Sequence, residues 1–310
     1  FPSLAFGHMV PYLKDHLELS KLIAQRGHKI SFISTPRNIN RLPKLPPNLV
    51  PFTNFIKFPM PQIENLLKNT EATTDVPYEQ VKYLKIAQGG LKQSMSEFLK
   101  DSTPDFIPFD FTSYWIPSIA KKFNISTAYF SIFIAAFLGF TGPLPGLKND
   151  YEIRKTAEEY IVPPKWVPFE ATVAWKLFEV LPMFDAPMSG DEENMSDILL
   201  VRSCSEFEPE WLKVLEDIHQ KPVFPIGQLP TTSYEDDSTT IDAWRWVIHS
   251  TILILPTKLP SVRLVLVEEE GKIYREKVKE VKQLFCDKER QDSYVENLLC
   301  YLQNHRKTKI

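Results

Sequence analysis

An α/β fold, a parallel sheet with flanking helices, is predicted by three stretches in which a helical segment is bracketed by short apolar strands. The first runs from the apolar opening Phe1 to Phe6, through a helix from Pro11 to about Arg26, to the strand Lys29 to Ser34. The second joins the run Pro104 to Phe109, a helical segment Ser113 to Phe123, and the strand Thr127 to Ser131. The third joins Ile198 to Val201, an amphipathic helix Glu208 to His219, and a closing strand Pro222 to Gly227. Strands alternating with helices in this order favour a parallel sheet.

In the first unit, Pro11 suits the opening position of a helix, where its fixed φ and missing N–H cost nothing. Gly27 suits the position just past a helix end. Gly7-His8 then reads as the turn between strand and helix. In an open α/β sheet that places His8 in the crevice beyond the carboxyl ends of the strands, where ligands bind. Gly7 would let backbone approach a ligand. Asp110 stands at the equivalent place after the second strand. An imidazole with a carboxylate behind it can take a proton from a hydroxyl, the carboxylate fixing the tautomer and stabilising the imidazolium. The competing reading is that Asp110 caps the following helix.

Between these units, Leu49 to Phe52 and Phe55 to Phe58 read as short strands. Val81, Leu84, Leu91, Met95, Phe98 and Leu99 carry helical spacing, so Thr73 to Lys100 is one helix or a pair broken at Gly89-Gly90. Ser131 to Pro145 is apolar and aromatic, either a buried helix or the wall of a substrate cleft. Trp166, Phe169, Trp175 and Phe178 lie in the proline-rich segment 142–187, which should pack over something. Residues 1–229 form the first domain on this reading, 230–260 a polar linker and aberrant junction, and 261–310 a set of C-terminal helices. Ser293 and Glu296 fit a capping box opening the last helix. His28, His219, His249 and His305 read as surface residues.

A hydrophobic content of 43%, a charged content of 24% and a formal charge of −3 are ordinary for a globular protein. Such a balance offers no electrostatic footprint for nucleic acid. The longest apolar run, Ser131 to Phe140, is too short to span a bilayer. Cys204, Cys286 and Cys300 have no metal-ligand spacing, and point to reduced thiols and a cytoplasmic location.

The runs Leu4-Ala5-Phe6-Gly7-His8-Met9-Val10-Pro11-Tyr12 and Ser31-Phe32-Ile33-Ser34-Thr35-Pro36-Arg37-Asn38-Ile39 resemble the plant UDP-sugar-dependent glycosyltransferases, in their rhamnosyltransferase-like branch. So do Ser131 to Ala136, Val201 to Leu212, and Ser261 to Arg306. The resemblance implies a two-domain, Rossmann-like fold and inverting sugar transfer without a metal or cofactor, with a UDP-sugar as co-substrate. It implies His8 as the general base and Asp110 as its partner. An acceptor such as a flavonoid or triterpenoid glycoside would lie near Gly7, Phe111, Tyr114, Trp115, Ser131 and Phe133.

One part of the family pattern does not occur in the sequence. Relatives hold uracil, diphosphate and sugar with a long C-terminal signature that includes a His-Cys-Gly-Trp-Asn-Ser run. A pyrophosphate site needs closely approaching backbone N–H groups, usually supplied by glycine. After Gly227 the only glycine is Gly271. Two expectations follow: a UDP-glycosyltransferase, rhamnose being a candidate sugar, or a shortened, non-catalytic product that keeps only the acceptor-binding half. Pro108 is a further oddity, since an internal strand would lose a ladder hydrogen bond there.

Overall fold

The structure, a computed structural model, describes residues 6–142, 154, 156–171, 173–185, 196–229 and 272–307, with 6–14 described by backbone only. The predicted linker and junction, 230–260, lie outside these residues.

The helix predicted from Pro11 begins five residues earlier: α1 spans Phe6–Gln25 and takes in Gly7 and His8. The turn expected at Gly7-His8 is therefore corrected to the first helical turn. Phe6, Met9, Leu13 and Leu17 recur at helical spacing across Pro11, and this apolar period outweighs the proline as a boundary. Pro11 leaves the Gly7 carbonyl without its i+4 donor, so this first turn is the weakest of the helix. The end is as predicted, with Gly27 at φ +82 and its N–H bonded to the Ala24 carbonyl at 2.9 Å.

Strand β1 (Ile30–Ser34) pairs in parallel with β2 (Thr53–Lys57), Ile30 opposite Thr53 and Ser34 opposite Lys57. Between them lies a short helix α2 (Pro36–Asn40). Of the two strands predicted near 50, the first is a 3-10 turn, Val50–Phe52, and only the second is a strand. The predicted helical pair is α3 (Val81–Gly89) and α4 (Leu91–Asp101). The break falls at Gly90, where an added Cβ would come within 2.9 Å of the Pro61 ring.

A second sheet has the strand order β3-β4-β5-β6, with β3 Phe106–Phe109, β4 Ser126–Ser131, β5 Ile198–Val201 and β6 Val223–Pro225. β3 runs parallel to β4, with Phe109 opposite Tyr129. Pro108 was expected inside a sheet; β3 is instead an outer strand of its sheet, where a residue without an N–H is tolerated. Helix α5 (Ile116–Lys122) connects β3 to β4.

The chain folds as two compact units. The first comprises Phe1–Ile132, Glu192–Leu200 and Val295–Ile310. Its core joins Leu91, Met95 and Leu99 of α4 to Ile107 and Phe109 of β3 and to Ile116, Ile119 and Ala120 of α5. Burying each of the larger of these side chains contributes about 1.5–3 kcal/mol.

The second unit comprises Phe133–Asp191 and Val201–Tyr294. Its centre is α6 (Ala135–Thr141) against α8 (Pro209–His219). Gly139 lets the Trp211 ring reach the α6 backbone, since a Cβ there would stand 2.8 Å from Trp211 Cε3. The aromatic segment packs as predicted: Trp166 Nε1 donates to the Gly139 carbonyl at 2.9 Å, and Phe169 meets Trp211 edge-on at 4.9 Å. Phe178, in α7 (Leu177–Asp185), is exposed. The buried Arg154 guanidinium lies 4.6–4.9 Å from the Phe140, Tyr160 and Trp166 rings, and burial pushes it down to about 10. His219 was expected at the surface but is half-buried at the end of α8. Burial, with Lys221 nearby, pushes its imidazole down to about 4.

The C-terminal helices are α9 (Lys272–Cys286) and α10 (Lys288–Asn304). The predicted start at Ser293 is corrected: Ser293 lies inside α10, its hydroxyl donating back to the Arg290 carbonyl at 2.7 Å. Asp287 caps α10, its Oδ1 accepting from the Arg290 N–H at 3.1 Å. Asp287→Ala is expected to cost about 1 kcal/mol, read from the urea midpoint, whereas Ser293→Ala should change it little.

Candidate functional site

Asp110 directly follows β3 and has no exposed surface. Its carboxylate begins a 3-10 turn, Phe111–Ser113, with Oδ1 accepting from the Thr112 N–H at 3.0 Å. The capping role weighed from sequence is therefore present. The Thr112 hydroxyl donates to the same oxygen at 2.7 Å, and accepts in turn from Gln88 Nε2 at 2.8 Å. Gln88 comes from α3 and is buried. Sequence reading missed both Gln88 and Thr112; Thr112 carried the faint signal of a hydroxyl two residues past an aspartate.

Ser131, buried, is the last residue of β4, the parallel neighbour of β3. Asp110 and Ser131 thus stand at the carboxyl ends of adjacent parallel strands, the end at which open α/β sheets bind ligands. Phe111 is half-buried. Tyr114 is half-buried too, with Lys92 Nζ 5.4 Å from its ring centre. Trp115 is corrected: it has no exposed surface and belongs to the core with Phe109, Ile116 and Met95, so it has no face to offer an acceptor. Phe133 belongs to the second unit, where it stacks on Phe137 at 4.3 Å. Gly7 and His8 are placed by backbone alone, in the first turn of α1.

A cavity of about 540 Å³ lies within the first unit, lined among others by His16, His28, Phe32, Phe106 and Arg306. No residue predicted for the site lines it. Its walls include both β1 and β3. Among the described residues no group of His, Cys, Asp and Glu is arranged to hold a metal ion, and no helix is long and apolar enough to cross a membrane. Burial pushes the Cys204 thiol up to about 12, which removes it as a nucleophile at neutral pH.

No protein-family model matches the chain. It is 47% identical over 265 residues to UDP-glycosyltransferase 91A1 of Arabidopsis thaliana, covering 80% of this chain and 55% of that protein. It is 36% identical over 242 residues to soyasaponin III rhamnosyltransferase of Glycine max, covering 74% and 49%. Among solved structures it is similar to Arabidopsis thaliana UGT89C1 complexed with quercetin, with a TM-score of 0.52 at 19% identity, covering 78% of this chain and 53% of that one. The chain thus spans about half the length of these proteins.

Proposed function

The chain is a homologue of the plant UDP-glycosyltransferases, and from that premise we propose that it carries the acceptor half of an inverting, UDP-sugar-dependent transferase. The acceptor is a hydroxylated plant metabolite such as a flavonoid or triterpenoid glycoside, and the sugar class we favour is rhamnose. His8 takes the proton of the acceptor hydroxyl. The freed oxygen forms a bond to the anomeric carbon of the sugar as the bond from that carbon to UDP breaks, and UDP leaves with the electron pair. Asp110 holds the imidazole in the required tautomer and stabilises it once protonated. Phe111, Tyr114 and Ser131, all in the first unit, are the acceptor contacts we retain from the predicted set, with Gly7 beside the base in sequence. The protein acts in the cytoplasm on small molecules, with no nucleic-acid partner.

The observation that supports this reading most is Asp110: a buried carboxylate at the carboxyl end of β3, held by two donors beyond the reach of bulk water. A second reading, a non-catalytic acceptor-binding protein, is favoured by the lack of the family's donor signature and by Gly271 being the only glycine after Gly227. Calorimetry with UDP, paired with a transfer assay using UDP-rhamnose and a hydroxylated acceptor, separates the two. The transferase reading expects micromolar UDP binding and a glycosylated product. Acceptor binding with no heat from UDP and no product would leave the second reading standing.

A further inference from the structure

We propose that Gln88 and Thr112 are positioning residues that fix the carboxylate of Asp110 for its partner imidazole, an inference that rests on the His8–Asp110 pair proposed above. A helix cap asks only that the aspartate accept the N–H two residues on. Here the Thr112 hydroxyl adds a second donor to the same oxygen, at 2.7 Å beside the 3.0 Å backbone bond. A hydroxyl has one proton and can spend it in any direction its rotor allows. Gln88 removes that freedom. Its Nε2 fills the Thr112 oxygen from a buried position 24 residues away in sequence, so the hydroxyl proton points at Asp110.

Both donors on Oδ1 belong to one residue, which fixes the place of that oxygen. Chained hydrogen bonds of this kind polarise and stiffen one another. The relay acts on the reaction only through Asp110, without touching either substrate.

The test reads the titration midpoint of the His8 ring by NMR on histidine-labelled full chain, with His8→Gln identifying the signal. Asp110→Asn should lower the midpoint by about 1–2 pH units, as loss of a neighbouring charge does. Thr112→Val should lower it in the same direction by a smaller amount, Gln88→Leu by less still, and Thr112→Ser should restore it. Amide spectra of each variant confirm that the fold is kept. A midpoint that Thr112→Val leaves unchanged or raises, while Asp110→Asn lowers it, overturns the relay and spares the pair. A midpoint indifferent to Asp110→Asn overturns the pair and the relay together.

Discussion

Replacing Glu208 by alanine is expected to destabilise the protein by about 3–5 kcal/mol, read as a large fall in the urea midpoint with little change in slope. The side chain is 4% exposed and accepts three donors. Its two oxygens take the Ala136 N–H at 2.9 Å and the Ala135 N–H at 3.0 Å, at the first two residues of α6, and the Ser203 hydroxyl. Removing it strands buried backbone donors that a short helix cannot satisfy internally. Glu208→Gln should fall between, because an amide accepts at one end only and turns N–H groups toward N–H groups at the other. A loss below about 1 kcal/mol for the alanine would show that water takes over the site.

The same residue predicts a pH trend. Burial raises its carboxyl above the ordinary 4.5, against the lowering effect of Ser203 and the two N–H groups. Above 4.5 the unfolded chain gives up this proton while the folded one still holds it. Glu208 therefore contributes stability that is complete below 4.5 and is lost as pH rises through the raised folded value. Glu208→Gln should remove that part of the pH dependence.

Gly142→Ala is expected to cost about 2–6 kcal/mol, from two terms that act at one atom. Gly142 ends α6 at φ +80, ψ −174, a conformation open almost to glycine alone and worth about 1–3 kcal/mol of strain for alanine. The new Cβ would also stand 2.2 Å from Trp166 Cζ2, and relieving such overpacking costs a further ~1–3 kcal/mol. Trp166 can retreat only by giving up its bond to the Gly139 carbonyl. Thermal unfolding followed by tryptophan fluorescence checks this. An unchanged midpoint would mean the ring has another seat.

What could be read from the sequence was local. The period of apolar residues located β1, α4, β4, β5 and α8, and glycine located the end of α1 and the break between α3 and α4. Local cues also misled: Pro11 and Ser293 resemble helix starts, yet α1 begins at Phe6 and α10 at Lys288. Strand order is not written in any one segment, so Pro108 looked misplaced until β3 proved to be an outer strand. For the candidate site, Asp110 and Ser131 could be located because strand ends are visible in sequence. Trp115 could not, because an aromatic after a strand looks the same whether it faces a cleft or the core. Gln88 and Glu208 act on partners 24 and more than 70 residues away, and no spacing rule reaches so far.

The outer position of β3 also bears on how this protein behaves at high concentration. An outer strand with a full row of N–H groups is a template on which another chain can polymerise. Pro108 brings no N–H, so this four-residue strand is one backbone donor short. A strand so short and so depleted is a poor template for strand addition.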